Sequence, residues 1–232
     1  MKNCIRTIFA LALLCAALST ASLASSLYLV QGIPGRDYAT HTDPAFPVDI
    51  LLNGEVCYVH GLAFGTVSGP LTFDPGTYNI KVSAANTLAP CTNDPLIDRS
   101  VTIAPESSYS AVIALNDDGT PEMLIFDNTM TPVAANTARI VLEQAANAPT
   151  LQVTLTNTST QKTYTYTVNR GGLLSETLPA GFYTITIAQG TTTVVQSTPL
   201  TLDSQSATLL YTLGQSANNT VVLANKNLRD VI

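Results

Sequence analysis

The chain reads as all-β: two tandem immunoglobulin-like β-sandwich domains after a signal peptide. Three observations predict this. Short runs of alternating apolar and polar residues are separated by turn residues, and no run keeps the i, i+3, i+4, i+7 spacing of an amphipathic helix. One strand-and-turn pattern occurs twice, about 105 residues apart, so that Gly181 answers Gly76. The N-terminus carries the charged, apolar and small-residue order of a secretory leader. At 232 residues and 46% hydrophobic, the chain can fill two small cores.

The leader comes first. Lys2 and Arg6 precede an apolar run from Ile8 to Leu18, which is too short for the roughly 20 residues that span a bilayer. Ser22 and Ala24 place cleavage after Ala24, giving a signal peptide over 1–24, with Ala21 the competing site and an uncleaved anchor the alternative. Leu14 before Cys15 disfavours a lipid anchor, because the residue preceding a lipidated cysteine is normally small. The mature chain then has no integral membrane span. Its localisation is secreted, periplasmic or cell-surface.

Cleavage removes Cys4 and Cys15 and leaves Cys57 and Cys91 in an oxidising compartment, where a disulfide between them is expected. Two separately buried thiols are the alternative. A bridge over that separation is worth roughly 3 to 4 kcal/mol in the chain-entropy model.

The first sandwich is assigned to 27–128. Val48–Leu52 and Glu55–Val59 flank Asn53 and Gly54, a two-residue hairpin turn whose positions both want positive φ. After Asp74, Pro75 and Gly76, the residues Tyr78, Ile80 and Val82 alternate with Asn79, Lys81 and Ser83, one face buried and the other wet. Val101–Ile103, Tyr109–Leu115 and Met123–Phe126 complete the copy, and Asn116 to Gly119 form a hairpin turn. A linker follows over 129–137, rich in Thr, Ala and Asn.

The second sandwich, 138–228, repeats the order. Leu151, Val153 and Leu155 answer Val48, Ile50 and Leu52, while Tyr183, Ile185 and Ile187 answer the Tyr78 strand. Leu200–Leu202, Ala207–Leu213 and Val221–Ala224 answer the later strands. About seven strands per copy, at turn spacings of roughly 8 to 12 residues, is the count of an immunoglobulin-like sandwich.

Composition narrows the partners. Only 11% of residues are charged and the net charge is −6, falling to −8 once Lys2 and Arg6 leave with the leader. No basic surface remains to neutralise phosphates, so nucleic acid and anionic lipid are excluded as partners. An exported protein or a glycan fits better, and the threonine-rich edge strands also permit self-association.

Catalytic material is sparse. His41 and His60 are the two histidines, and no serine or cysteine stands in a nucleophile-elbow setting. The sequence implies no catalytic residue, no metal and no cofactor. The segment Gly32–Pro47, an insertion the second copy lacks, holds Asp37, Tyr38, His41 and Asp43 and is the candidate binding loop. Tyr38 is expected to be exposed there. The other aromatics of the first copy, Tyr28, Tyr58, Phe64 and Phe73, are mostly core, yet such rings can stack on sugars or pack against partners. His60 reads as a structural residue at a strand end.

The runs Phe46–Gly54, Gly61–Gly65 and Leu71–Tyr78 together resemble the family called domain of unknown function 4397. The resemblance covers Leu27–Asn128, and more weakly Ala138–Leu228 through Leu178–Ile187. It implies a secreted or cell-surface β protein, mostly bacterial, with no established activity. Many members carry His-Ala-Ser-Pro-Asp after the first strand, where this chain has Gln31, Gly32, Ile33, Pro34 and Gly35. The function expected is therefore an exported, non-enzymatic scaffold or adhesion module. The alternative is a metal-dependent enzymatic or accessory domain using carboxylates of the 32–47 loop.

Overall fold

The computed structural model describes residues 24–38, 43–128 and 131–228. Their strands in order are β1 Ser25–Gln31, β2 Val48–Leu52, β3 Val56–Leu62, β4 Val67–Phe73, β5 Gly76–Ala84, β6 Pro95–Ile103, β7 Ser108–Leu115 and β8 Pro121–Asp127. Then come β9 Thr137–Gln144, β10 Thr150–Asn157, β11 Thr163–Asn169, β12 Leu173–Pro179, β13 Gly181–Gln189, β14 Thr192–Leu202, β15 Ala207–Leu213 and β16 Val222–Leu228. Sheets of order β4-β1-β7-β8 and β3-β2-β5-β6 make the first sandwich, and β12-β9-β15-β16 and β11-β10-β13-β14 the second. Strand for strand, the two topologies are identical.

Each copy thus holds eight strands, one more than the spacing suggests. The added strands are β4 and β12. Pro70 inside β4 argues against a strand interior, but β4 is an edge strand that pairs only with β1, where a missing N–H costs nothing. The strand β1 runs parallel to β7, and β9 parallel to β15, so the first strand of each copy closes beside its second-last.

The alternation fills two separate cores. Val48, Ile50 and Leu52 on β2 meet Leu27 and Leu29 on β1 and Ile80 and Val82 on β5. Leu151, Val153 and Leu155 do the same against Ile140, Ile185 and Ile187. Tyr78 and Tyr183 occupy equivalent positions, and each hydroxyl donates to a backbone carbonyl four residues upstream, Asp74 at 2.9 Å and Pro179 at 2.8 Å. That is the tyrosine-corner bond of immunoglobulin-like sandwiches, made once per copy.

A third apolar cluster joins the copies. Tyr28, Val30, Val112 and Phe126 from the β1 sheet pack on Val141, Leu209, Tyr211 and Leu213 from the β9 sheet. The molecule is therefore a stack of four sheets. The inner strands β1, β7, β9 and β15 are buried on both faces, which is why they read as continuous apolar runs instead of alternating. Gly32 sits at the junction of the copies, where it accepts from the Gly214 N–H at 3.2 Å: a Cβ there would stand 2.7 Å from the Ile113 carbonyl oxygen and 3.1 Å from Leu213. No helix among the described residues is long and apolar enough to cross a membrane.

Candidate functional site

The 32–47 loop is pinned at several points. Gln31 donates from Nε2 to the Phe46 carbonyl at 2.8 Å, and Ile33 and Phe46 are core residues. Asp37 ends the short 3-10 turn Gly35–Asp37 and ties the loop to the second sandwich, accepting from Asn218 Nδ2 at 2.9 Å and from the Thr220 hydroxyl. Asp43 caps a turn, its Oδ1 accepting the Ala45 N–H at 2.9 Å. Tyr38 is half-buried and not exposed: its ring centroid lies 5.3 Å from that of Phe46, and it packs on the first core. His41 and residues 1–23 of the expected leader lie outside the described residues. Among the described residues, no group of three or more His, Cys, Asp or Glu gathers as a metal-binding set.

Opposite, on the outer face of the first sandwich, a second insertion runs from Ala85 to Asp94. Cys57 and Cys91 form a disulfide with Cα atoms 5.7 Å apart, stapling this loop to β3. Beside the staple lies Asp49, fully buried on β2. Its Oδ1 accepts from His60 Nδ1 at 2.6 Å and Gly61 N–H at 3.0 Å, and its Oδ2 from Asn86 N–H at 3.0 Å and Cys91 N–H at 2.9 Å. Burial alone would raise this carboxyl, but the backbone donors at Cys91, Asn86 and Gly61 and the His60 bond outweigh it and hold Asp49 below its ordinary value. His60 thus has a structural partner, and it lies within β3, two residues before its end. The loop so anchored carries Leu88 at its tip, 96% exposed.

An aromatic-lined hollow lies elsewhere on the first sandwich. At one end of the first sandwich, β3, β4 and β5 bring Tyr58, Phe73 and Tyr78 together, with ring centroids 5.5 Å apart for the first pair and 4.9 Å for the second. These rings, with Leu52 and Val56, line a cavity of about 300 Å³. Its polar members are Asn53, Glu55, Thr72 and Asp74, and no basic side chain contributes. Phe73 is buried beneath Tyr58, which is 39% exposed. The turn residues Asn53 and Gly54, with φ of 50° and 72°, shape the rim between β2 and β3. Composition singled out Tyr58 and Phe73. Sequence reading placed Tyr78 in the core stripe and did not join it to them, since the junction depends on β4, the strand hidden by Pro70.

A search of curated proteins finds no match. Among solved structures, a leucine-rich repeat protein from Bacteroides thetaiotaomicron is similar at 13% identity and a TM-score of 0.23, covering 83% of this chain and 26% of that one. The Bacillus anthracis TIE protein is similar at 11% identity and a TM-score of 0.28, covering 88% of this chain and 34% of that one. A candidate cell adhesion protein from Bacteroides uniformis is similar at 13% identity and a TM-score of 0.27, covering 88% of this chain and 98% of that one. This chain therefore spans about a quarter and a third of the first two. The sequence model of the family described as Domain of unknown function (DUF4397) matches residues 39–154, from ahead of β2 to within β10. The match starts after β1 and continues into the second sandwich, where the sequence resemblance had centred on Leu27–Asn128. It takes in half of the 232 residues, and the chain belongs to the DUF4397 family.

Proposed function

We propose that the protein is an exported, non-enzymatic binding module of the cell envelope or its surroundings, and that its first sandwich takes a carbohydrate chain at the Tyr58, Phe73 and Tyr78 cavity. The observation that carries this reading is the exposed Tyr58 ring resting on buried Phe73, beside oxygen acceptors on Asn53, Glu55 and Asp74. An aromatic face stacks on the C–H face of a sugar while acceptors take its hydroxyls. The lack of a basic group in the cavity disfavours acidic sugars. The leader over 1–24 and the Cys57–Cys91 staple support export.

Titration with neutral, amino-bearing and acidic oligosaccharides, followed by amide NMR shifts, tests the assignment. Saturable shifts confined to residues 52–58 and 72–78 are expected with a neutral or amino sugar, weakened at least tenfold in Y58A. Saturable binding that Y58A leaves intact, or no binding by any of the panel, overturns it.

A further inference from the structure

Each sandwich has its own core, and one fully buried carboxyl side chain sits within the seam that joins them. Glu143, on the face of β9 turned toward the first sandwich, has 0% exposure. Its Oε1 accepts from the Ser110 hydroxyl of β7 at 2.8 Å. Ser110 in turn meets the Tyr211 hydroxyl of β15 at 3.0 Å and Asn128 Nδ2, just beyond β8, at 2.6 Å. Glu143 Oε2, the Tyr28 hydroxyl of β1 and Asn128 Oδ1 are buried with no hydrogen-bond partner. Both sandwiches therefore contribute to one polar knot inside an apolar contact.

The charges around it do not compensate a carboxylate. On the strands beside β9, Tyr211 of β15 and Leu173 of β12 stand opposite Glu143. By strand alternation Arg139 on β9, Lys226 on β16 and Glu122 on β8 share the two apposed faces. Glu122 pairs with Arg170, and no ion pair reaches Glu143 among the described residues. A protonated carboxyl suits such a seam, because its O–H is itself a donor among orphaned oxygens. A carboxylate there faces oxygens and apolar walls, and regains solvation only if water enters.

We propose that the contact between the two sandwiches is a pH-operated clasp, closed while Glu143 holds its proton and loosened when it ionises. Burial pushes this carboxyl up to about 8, against smaller opposing effects of Ser110 and Asn128. In an opened seam it returns to the ordinary range near 4.5. Between those limits the open form sheds the proton that the closed form keeps, so the opening constant rises up to tenfold per pH unit and levels off above the upper one. The clasp is tightest in acid and loosens steadily through neutrality. In alkaline surroundings it presents the apolar face of Val30, Val112, Leu209 and Leu213.

The test places a reporter thiol in the seam. V112C in the full mature chain is labelled with a thiol reagent from pH 5.5 to 8.5, each rate divided by that of the same chain unfolded in denaturant at the same pH. The normalised rate should rise at least tenfold across this range and stay flat within twofold when E143Q is added. V30C gives the same reading should V112C fold poorly. Equal pH slopes with and without E143Q, or labelling no faster than global unfolding, overturn the proposal.

Discussion

Asp49→Asn replaces one acceptor oxygen of a carboxylate that holds four donors. The native carboxylate divides its partners evenly, with His60 and Gly61 on Oδ1 and Asn86 and Cys91 on Oδ2. An amide keeps one pair and turns an N–H₂ group toward the other: facing Asn86 and Cys91 it meets two donors, and facing Gly61 and His60 it meets one, since a neutral imidazole Nδ1 can accept. Hydrogen bonds to a charged acceptor are worth about 1.5 to 3 kcal/mol each, so losing one or two in this buried site costs about 1.5 to 6 kcal/mol. The disulfide still tethers Cys91, which confines the damage to the 85–94 loop and its junction with β2 and β3. Urea unfolding reads the total and amide exchange reads the place, with the Gly61, Asn86 and Cys91 amides protected in the native protein and either Gly61 or the Asn86 and Cys91 pair exposed in D49N. A loss under about 1 kcal/mol with all three amides still protected would show that the donors do not depend on the carboxylate. The same site sets an acid limit. The folded carboxyl lies below its unfolded value, so its contribution is whole above the ordinary aspartate range and disappears as pH falls through the lowered folded value. In D49N that part of the acid limb should vanish.

Three further outcomes follow from the same geometry. The double variant C57S/C91S opens a loop with a sequence separation of 34 and should lose roughly 3 to 4 kcal/mol in urea unfolding, with the 85–94 amides exchanging first. Removal of the corner hydroxyls tests the repeat: Y78F and Y183F should each cost about 1 kcal/mol, and near-equal losses in thermal unfolding would mark the two bonds as equivalent. Because Glu143 has a raised folded value, its contribution is complete below pH 4.5 and lost as pH climbs toward about 8, so wild type should lose thermal stability relative to E143Q over that interval.

What could be read from residues alone was whatever alternates. Val48, Ile50 and Leu52, the Tyr78 strand, the Asn53–Gly54 turn and their second-copy counterparts all announce themselves, because a half-buried strand must place every second side chain in the core. The strands buried on both faces have no such signature, and nothing in Ala207–Leu213 says that Leu209 and Tyr211 meet another sandwich. Gln31 and Gln144 end equivalent strands, and each donates to the carbonyl two residues ahead of the next, Phe46 at 2.8 Å and Ala148 at 2.7 Å. That repeat feature hides behind an insertion in the first copy. Asp49 was equally silent, since an aspartate at a polar position of a strand usually faces water. Here the 85–94 loop closes over it.

The expectation for the 32–47 loop rested on length and polarity, and the structure redistributes its residues: Asp37 to the second sandwich, Asp43 to a turn, Tyr38 to the first core. The aromatic cavity came instead from three successive strands, β3, β4 and β5, that the fold divides between two sheets. Only Tyr58 of its rings is exposed enough to be seen as surface.

Export and closure by an internal disulfide underlie both the proposed location and the proposed binding role. Intact-mass analysis of protein recovered from periplasm, membrane and medium, with and without reduction and alkylation, reads both at once. The expected species is a soluble chain beginning at Ser25, two hydrogens lighter than its reduced form, with Cys57 and Cys91 protected from alkylation until reduction. A chain that keeps residues 1–24 in the membrane, or one with two free thiols, would be incompatible with an exported, disulfide-closed module.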